Sequence, residues 1–156
     1  MIKVSIIVPA YNEENTILSV LEKIAAQSVE GVEFEVVVVD DGSFDRTQEL
    51  VQSRPELYSQ FIRQTINGGK GAAVRAGLKA ATGDYILFQD ADLEYDPADY
   101  AKLMLPACRF NADLIVGSRF LAPQYSRVFY FWHRLGNTFI TQLFNILNNT
   151  TFTDIY

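Results

Sequence analysis

Residues 3–14 read KVSIIVPAYNEE, and the parsing of this stretch decides the fold. Residues 3–9 are a β-branched run closed by Pro9, the pattern of a buried strand. A polar turn follows, in which Asn12 is placed to cap a helix. Ile17, Leu18, Leu21, Ile24 and Ala25 then recur at helical spacing, which predicts an amphipathic helix of about four turns.

The same alternation repeats downstream. Residues 34–39 (FEVVVV) read as a second strand, with Asp40, Asp41 and Gly42 at its carboxyl end. Gly42 suits a tight turn that needs a positive φ. Asp45 and Gln48 have the spacing of a capping box and predict a second helix. Residues 59–65 read as an edge strand, Asn67-Gly68-Gly69 as a turn, and 70–81 as an alanine-rich helix. Residues 85–89 (YILFQ) form a fourth strand, ending in Asp90-Ala91-Asp92. Pro97 fits the first turn of a helix running through Cys108. Residues 113–117 (DLIVG) read as a fifth strand leading into Ser118-Arg119. Alternation of this kind predicts an α/β fold: a mostly parallel, Rossmann-like sheet with helices on both faces. Such sheets bind ligands beyond the carboxyl ends of their strands, and the polar clusters all fall at that edge.

Composition bounds the function. With 49% hydrophobic and 21% charged residues in 156, the chain is not disordered. One cysteine, Cys108, excludes a disulfide framework and a cysteine-based zinc site. A net charge of −6 makes nucleic acid an unfavourable partner. No apolar run is long enough to span a bilayer, and Lys3 and Pro9 argue against a signal peptide, so a reducing, cytoplasmic location is expected. Residues 127–156 hold Arg127, Arg134 and Asp154, a net of +1, which leaves −7 on the first 126. That contrast divides the chain into an acidic domain, 1–126, and a differently specialised segment, 127–156. Residues 128–147 (VFYFWHRLGNTFITQLFNIL) are rich in aromatics and read as an amphipathic helix at a membrane surface, or as a core or dimer helix covering the sheet. The first reading places the protein at the cytoplasmic face of a membrane. The second keeps a homo-oligomer open.

Asp90-Ala91-Asp92 is the pivotal cluster. In an extended segment residues two apart point the same way, so two carboxylates can share a hard divalent cation, and Glu94 continues the spacing. Alone the motif is weak, since a solvated turn after a strand has the same composition. Asp40 and Asp41 can accept hydrogen bonds from a nucleobase edge or ribose hydroxyls, or serve the following helix as caps. In the turn Pro9–Glu13, Tyr11 can pack on a base and Glu13 can bond to it. Lys70 opens a helix, where the dipole already supplies positive charge; an anion nearby would resolve that tension. Arg119 after the fifth strand is either an ordinary surface cation or the group expected to meet a phosphate, with Arg127 and Arg134 able to join it.

Taken together, SIIVPAYNEE, VVVVDDGSFDRT, NGGKGAAVRAG, GDYILFQDADLEYDP and ADLIVGSRF resemble the inverting family 2 glycosyltransferases, which have the GT-A fold. The match covers nearly all of residues 3–120 and looks most like the branch that makes polyprenyl-phosphate sugars, the dolichyl-phosphate mannose or glucose synthases. RVFYFWHRLGNTFITQLFNILNNTTFTD resembles the same branch less distinctively. The resemblance implies that Pro9, Tyr11, Glu13, Asp40 and Asp41 hold the base and ribose of a UDP- or GDP-sugar, with Lys70 and Ala91 also against the nucleotide. It implies that Asp90 and Asp92 bind Mg²⁺ or Mn²⁺, with Glu94 as a further ligand where many relatives carry glutamine. Asp92 and Arg119 would be catalytic, and Arg119 and Arg134 would bind the phosphate of a polyprenyl (dolichyl or undecaprenyl) acceptor. The branch usually continues past Thr-Asp into an aromatic residue and a basic one. Here the sequence stops at Thr153-Asp154-Ile155-Tyr156, so a truncated form lacking part of the acceptor site is expected. Three rivals remain: a family 2 transferase acting on a saccharide hydroxyl, a sugar-1-phosphate nucleotidyltransferase and a non-catalytic nucleotide-binding module. PAYNEE lacks the glycine-rich loop that a nucleotidyltransferase usually carries after its first strand.

Overall fold

The computed structural model describes residues 1–116 and 131–153. They fall in two compact units, Met1–Cys108 and Arg109–Tyr156. The boundary expected at 126/127 lies outside the described residues.

The first unit is built on a four-stranded parallel sheet. Its strands are β1 (Ile2–Ala10), β2 (Val32–Asp40), β3 (Gln60–Arg63) and β4 (Tyr85–Phe88), in the order β3-β2-β1-β4. β1 pairs with β2 over its whole length, from Ile2 opposite Val32 to Ala10 opposite Asp40. The helices are α1 (Ile17–Ala25), α2 (Thr47–Gln52), α3 (Lys70–Ala80) and α4 (Tyr100–Phe110), the last preceded by a 3₁₀ turn at Pro97–Asp99. Side-chain alternation divides the core. Ile6, Val8, Val36 and Val38 pack with Ile17, Val20, Leu21 and Ile24 of α1 and with Val51 of α2. Val37 and Val39 point the other way, onto Ala73 of α3. Both faces are therefore covered, as the unbroken β-branched runs require.

α3 sits close. A Cβ added at Gly77 would stand 2.5 Å from Cγ2 of Ile7, so a side chain there is excluded by the strand beneath it. Thr82, just past α3, belongs to a network at the amino end of the sheet. The buried Glu35 carboxylate accepts hydrogen bonds from Ser5 Oγ (2.5 Å), Lys3 Nζ (3.0 Å), Thr82 Oγ1 (2.7 Å) and Thr82 N (2.9 Å). Burial alone would push Glu35 up. The hydrogen bonds from Ser5, Thr82 and Lys3 outweigh it and hold the group at about 2.

Several sequence expectations need correction. α1 has nine residues rather than four turns, and Asn12 does not cap it. Asn12 instead adopts φ 55°, and its Oδ1 accepts from Phe44 N, so its short polar side chain bridges two loops. α2 is preceded at its N-cap position by Arg46, with no side-chain cap bond; Asp45, one residue earlier, accepts from Thr47 N at 2.9 Å, while Gln48 donates to Gln52, so the expected capping box is not made. Residues 111–116 form no strand. Leu114 and Val116 are exposed, and β propensity has no effect without a ladder to join.

The second unit contains α5 (Phe131–Asn148). Its end is tied by Asn145, whose Nδ2 donates to Phe152 O (2.7 Å) and whose Oδ1 accepts from Phe152 N (2.9 Å). Trp132, Phe139, Ile146 and Leu147 of α5 are exposed. Among the described residues, no helix is long and apolar enough to cross a membrane.

Candidate active site

A cavity of about 460 Å³ opens at the carboxyl rim of the sheet. It is where the strand ends of β1, β2 and β4 meet the start of α3, and it is lined by Pro9, Tyr11, Glu13, Asp41, Lys70, Asp90, Ala91 and Asp92, among others. Eight of the residues singled out in the sequence are thus gathered from four separate segments.

Each is positioned by local structure. Glu13 N donates to Thr47 Oγ1 (2.8 Å), and its carboxylate accepts from Thr16 Oγ1 (2.6 Å), which pins the turn after β1. Tyr11 is partly exposed and meets Phe44 edge to face, ring centres 6.0 Å apart. Asp41 is buried; its amide donates to Ala10 O (2.9 Å), and its Oδ1 accepts from Gly68 N (3.0 Å). Gly42 has φ 73°, as expected, and a Cβ there would lie 3.0 Å from Asn67 N. This close approach brings the glycine-rich turn beside the Asp40–Asp41 pair.

The two aspartates of that pair differ. Asp41 lines the cavity, whereas Asp40 is fully buried beside it. Asp40 Oδ1 accepts from Ser43 N (3.1 Å). Its Oδ2 has no hydrogen-bond partner and faces Arg63 Nε at 3.8 Å.

Lys70 occupies the first turn of α3, with Gly69 at φ 80° before it. Its ammonium lies 2.6 Å from Oδ1 and 2.8 Å from Oδ2 of Asp90. The anion expected to offset the helix dipole is therefore supplied by the protein's own carboxylate. Asp92 is exposed, and its Oδ1 accepts from Glu94 N (3.0 Å), closing a short turn in which Leu93 has φ 64°. Among the described residues, no group of three His, Cys, Asp or Glu side chains is gathered as a metal ligand set. Two carboxylates still fit Mg²⁺ or Mn²⁺. Such ions take hard oxygen donors, and Mg²⁺ is often held by one or two carboxylates with substrate phosphates and water filling the remaining positions.

Arg119 lies outside the described residues. Arg134 is on α5 in the second unit, with an exposed side chain. Sequence reasoning missed Asn67, Gly69 and Ala73 as lining residues, although the glycine-rich turn marks two of them. It also missed Phe44, whose exposed ring beside Tyr11 is visible in DDGSFD as an apolar residue within a polar loop.

A parallel α/β sheet with its cavity at the carboxyl rim defines the general class. The family model described as Glycosyl transferase family 2 matches residues 5–155, and the chain belongs to that family. It is 38% identical over 120 residues to a dolichol-phosphate mannosyltransferase of Pyrococcus furiosus, covering 76% of this chain and 34% of the relative. It is 42% identical over 94 residues to the poly(ribitol-phosphate) beta-N-acetylglucosaminyltransferase TarS of Staphylococcus aureus, covering 59% of this chain and 16% of the relative. A crystal structure of TarS residues 1–349 with UDP-GlcNAc aligns at a TM-score of 0.57 and 36% identity, over 65% of this chain and 31% of that one. Glucosyl-3-phosphoglycerate synthase of Mycobacterium tuberculosis, in complex with Mn²⁺, UDP and glucosyl-3-phosphoglycerate, aligns at 0.56 and 29%, over 67% of this chain and 39% of that one. These neighbours make the fold GT-A. The chain spans about a third of the length of the mannosyltransferase it matches.

Proposed function

We propose that the chain carries the donor site of an inverting glycosyltransferase that moves a sugar from a nucleoside diphosphate sugar to a polyprenyl phosphate. The observation that carries this reading is the cavity itself, where Tyr11, Glu13 and Asp41 stand on one side and Lys70, Asp90 and Asp92 on the other. The first group suits a base and ribose: an aromatic face and two acceptors for N–H and hydroxyl donors. The second suits a diphosphate and its metal.

Asp90 and Asp92 would hold Mg²⁺ or Mn²⁺, which would supply Lewis-acid stabilisation for the charge on the departing nucleoside diphosphate. Lys70 holds Asp90 in the free protein and turns to the diphosphate when that anion arrives, keeping the ammonium paired in both states. Arg119 orients the acceptor phosphate. A phosphate monoester has a second pKa of about 6, so the nucleophile is already ionised at neutral pH and needs no general base. Attack opposite the leaving group inverts the anomeric carbon. The likeness to a dolichol-phosphate mannosyltransferase supports this acceptor, and the exposed aromatics of α5 suit a protein working at a lipid surface on the cytoplasmic side.

The likeness to TarS supports a second reading, in which the acceptor is a hydroxyl and a carboxylate base is required. Thermal shift with UDP- and GDP-sugars, with and without Mn²⁺, identifies the donor, because a bound ligand raises the melting temperature by mass action. Transfer assays with polyprenyl phosphate and oligosaccharides in competition then separate the acceptors. Product on the lipid alone is expected. Product on the saccharide alone moves the protein to the second reading, and nucleotide binding with no release of nucleoside diphosphate reduces it to a binding module. In the same assay Arg119→Ala is expected to abolish transfer with donor affinity intact; lost donor affinity would move this arginine to the nucleotide.

A further inference from the structure

Between β4 and the two cavity aspartates stands Gln89, which sequence reasoning passed over as the last residue of a strand. It is 1% exposed, and its amide N–H donates to Ile7 O (3.0 Å), extending the β1–β4 ladder by one residue. Its side chain then turns to the loop that follows. Nε2 donates to Asp90 O (3.1 Å) and to Tyr95 O (3.0 Å), and Oε1 accepts from the Tyr100 hydroxyl (2.8 Å).

Both hydrogens of the amide are thus spent on carbonyls at the two ends of the Asp90–Tyr95 loop. Carbonyls only accept, so the opposite orientation would set Oε1 against two oxygens and is excluded. Tyr100 donates to the remaining side of the amide and is itself held, 2% exposed, against the Phe34 ring at 5.6 Å. Burial pushes its phenol upward, so it stays a donor at every working pH. Between the two clamped ends the loop has no helix or strand of its own, and it contains the left-handed Leu93.

We infer that Gln89, oriented by Tyr100, is the positioning residue that closes the Asp90–Tyr95 loop so that both aspartate side chains face the cavity. It touches neither nucleotide nor metal. It acts by tying the loop's two ends to the rigid end of β4, so the carboxylates are preorganised rather than ordered at the cost of binding energy. The consequence for metal binding rests on the donor-site reading above; the consequence for the loop does not.

The test uses the 156-residue chain and Gln89→Met, which keeps the length and removes all three side-chain hydrogen bonds. Hydrogen–deuterium exchange reads the loop, and Mn²⁺ binding with saturating UDP or GDP, followed by the paramagnetic resonance of free Mn²⁺, reads the site. Exchange at 91–95 is expected to rise about tenfold while β1 and β2 are unchanged, and Mn²⁺ affinity to fall about tenfold while metal-free nucleotide affinity stays within about twofold. A folded variant with wild-type exchange at 91–95 overturns the inference, as does one whose loop loosens with Mn²⁺ affinity unaltered. If Gln89→Met does not fold, Tyr100→Phe replaces it, with about a threefold effect expected in each reading and no effect overturning the proposal. Should wild-type protein bind no Mn²⁺, the metal reading fails on its own, and the exchange at 91–95 alone decides whether Gln89 clamps the loop.

Discussion

The two ends of the sheet treat buried carboxylates in opposite ways. At the amino end Glu35 is surrounded: Lys3, Ser5 and Thr82 give its two oxygens four hydrogen bonds. At the carboxyl end Asp40 is equally buried, yet its Oδ2 has no hydrogen bond and only a cation 3.8 Å away. Asp92 accepts one bond from its own loop, and Asp90 is met by a single flexible lysine. A carboxylate with every lone pair occupied has its role within the fold. On the proposed donor-site reading, the open lone pairs of Asp90 and Asp92, which line the cavity, would meet a cation that arrives later, while Asp40 is buried beside it. α3 connects the two ends, since Lys70 opens it beside Asp90 and Thr82 follows it beside Glu35.

The largest effect on stability is expected at the satisfied end. Glu35→Ala leaves Ser5, Lys3 and the Thr82 amide without their acceptor and should lower unfolding free energy by about 3 kcal/mol in urea titration. A loss below about 0.5 kcal/mol would erase the contrast between the two ends. The same group predicts an acid transition. Its folded pKa, about 2, lies below the ordinary 4.5, so its contribution is complete above pH 4.5 and is lost as pH falls from there toward 2. The loss amounts to about 2–3 kcal/mol by proton linkage, and Glu35→Gln should flatten the pH dependence of melting in that window. A smaller effect is expected midway along α3. Gly77→Ala forces a methyl toward Ile7 and should cost about 1–3 kcal/mol, with donor affinity reduced because Lys70 moves with the helix. Normal stability in that variant would show that α3 has room to shift.

Much of this was legible in the sequence, for identifiable reasons. The runs around Ile6 and Val38 are apolar on both faces, which only a sheet covered on both sides accommodates. The polar residues closing those runs fall at one rim because parallel strands all end on the same side. What was not legible depends on partners distant in the chain. Glu35 reads as one polar residue in a strand until Ser5 and Thr82, 30 and 47 residues away, are seen to meet it. Gln89 reads as the end of a strand, because nothing local says that its amide turns back to Tyr95. Asn12 reads as a cap because caps are local; its actual partner, Phe44, lies 32 residues on. Nor does periodicity tell a strand from an isolated β-branched run, so the pattern predicts a strand over 113–117 where the described residues 113–116 form none.

On the proposed reading, Asp90 and Asp92 at the carboxyl rim would bind a nucleotide sugar through a divalent cation. Titration calorimetry of wild type and Asp92→Ala with the donor sugar, with and without Mn²⁺, tests it directly. Asp92 is exposed, so the variant should melt at the wild-type temperature while metal-dependent donor affinity falls by about a hundredfold or more. Unchanged Mn²⁺-dependent binding in Asp92→Ala would contradict it.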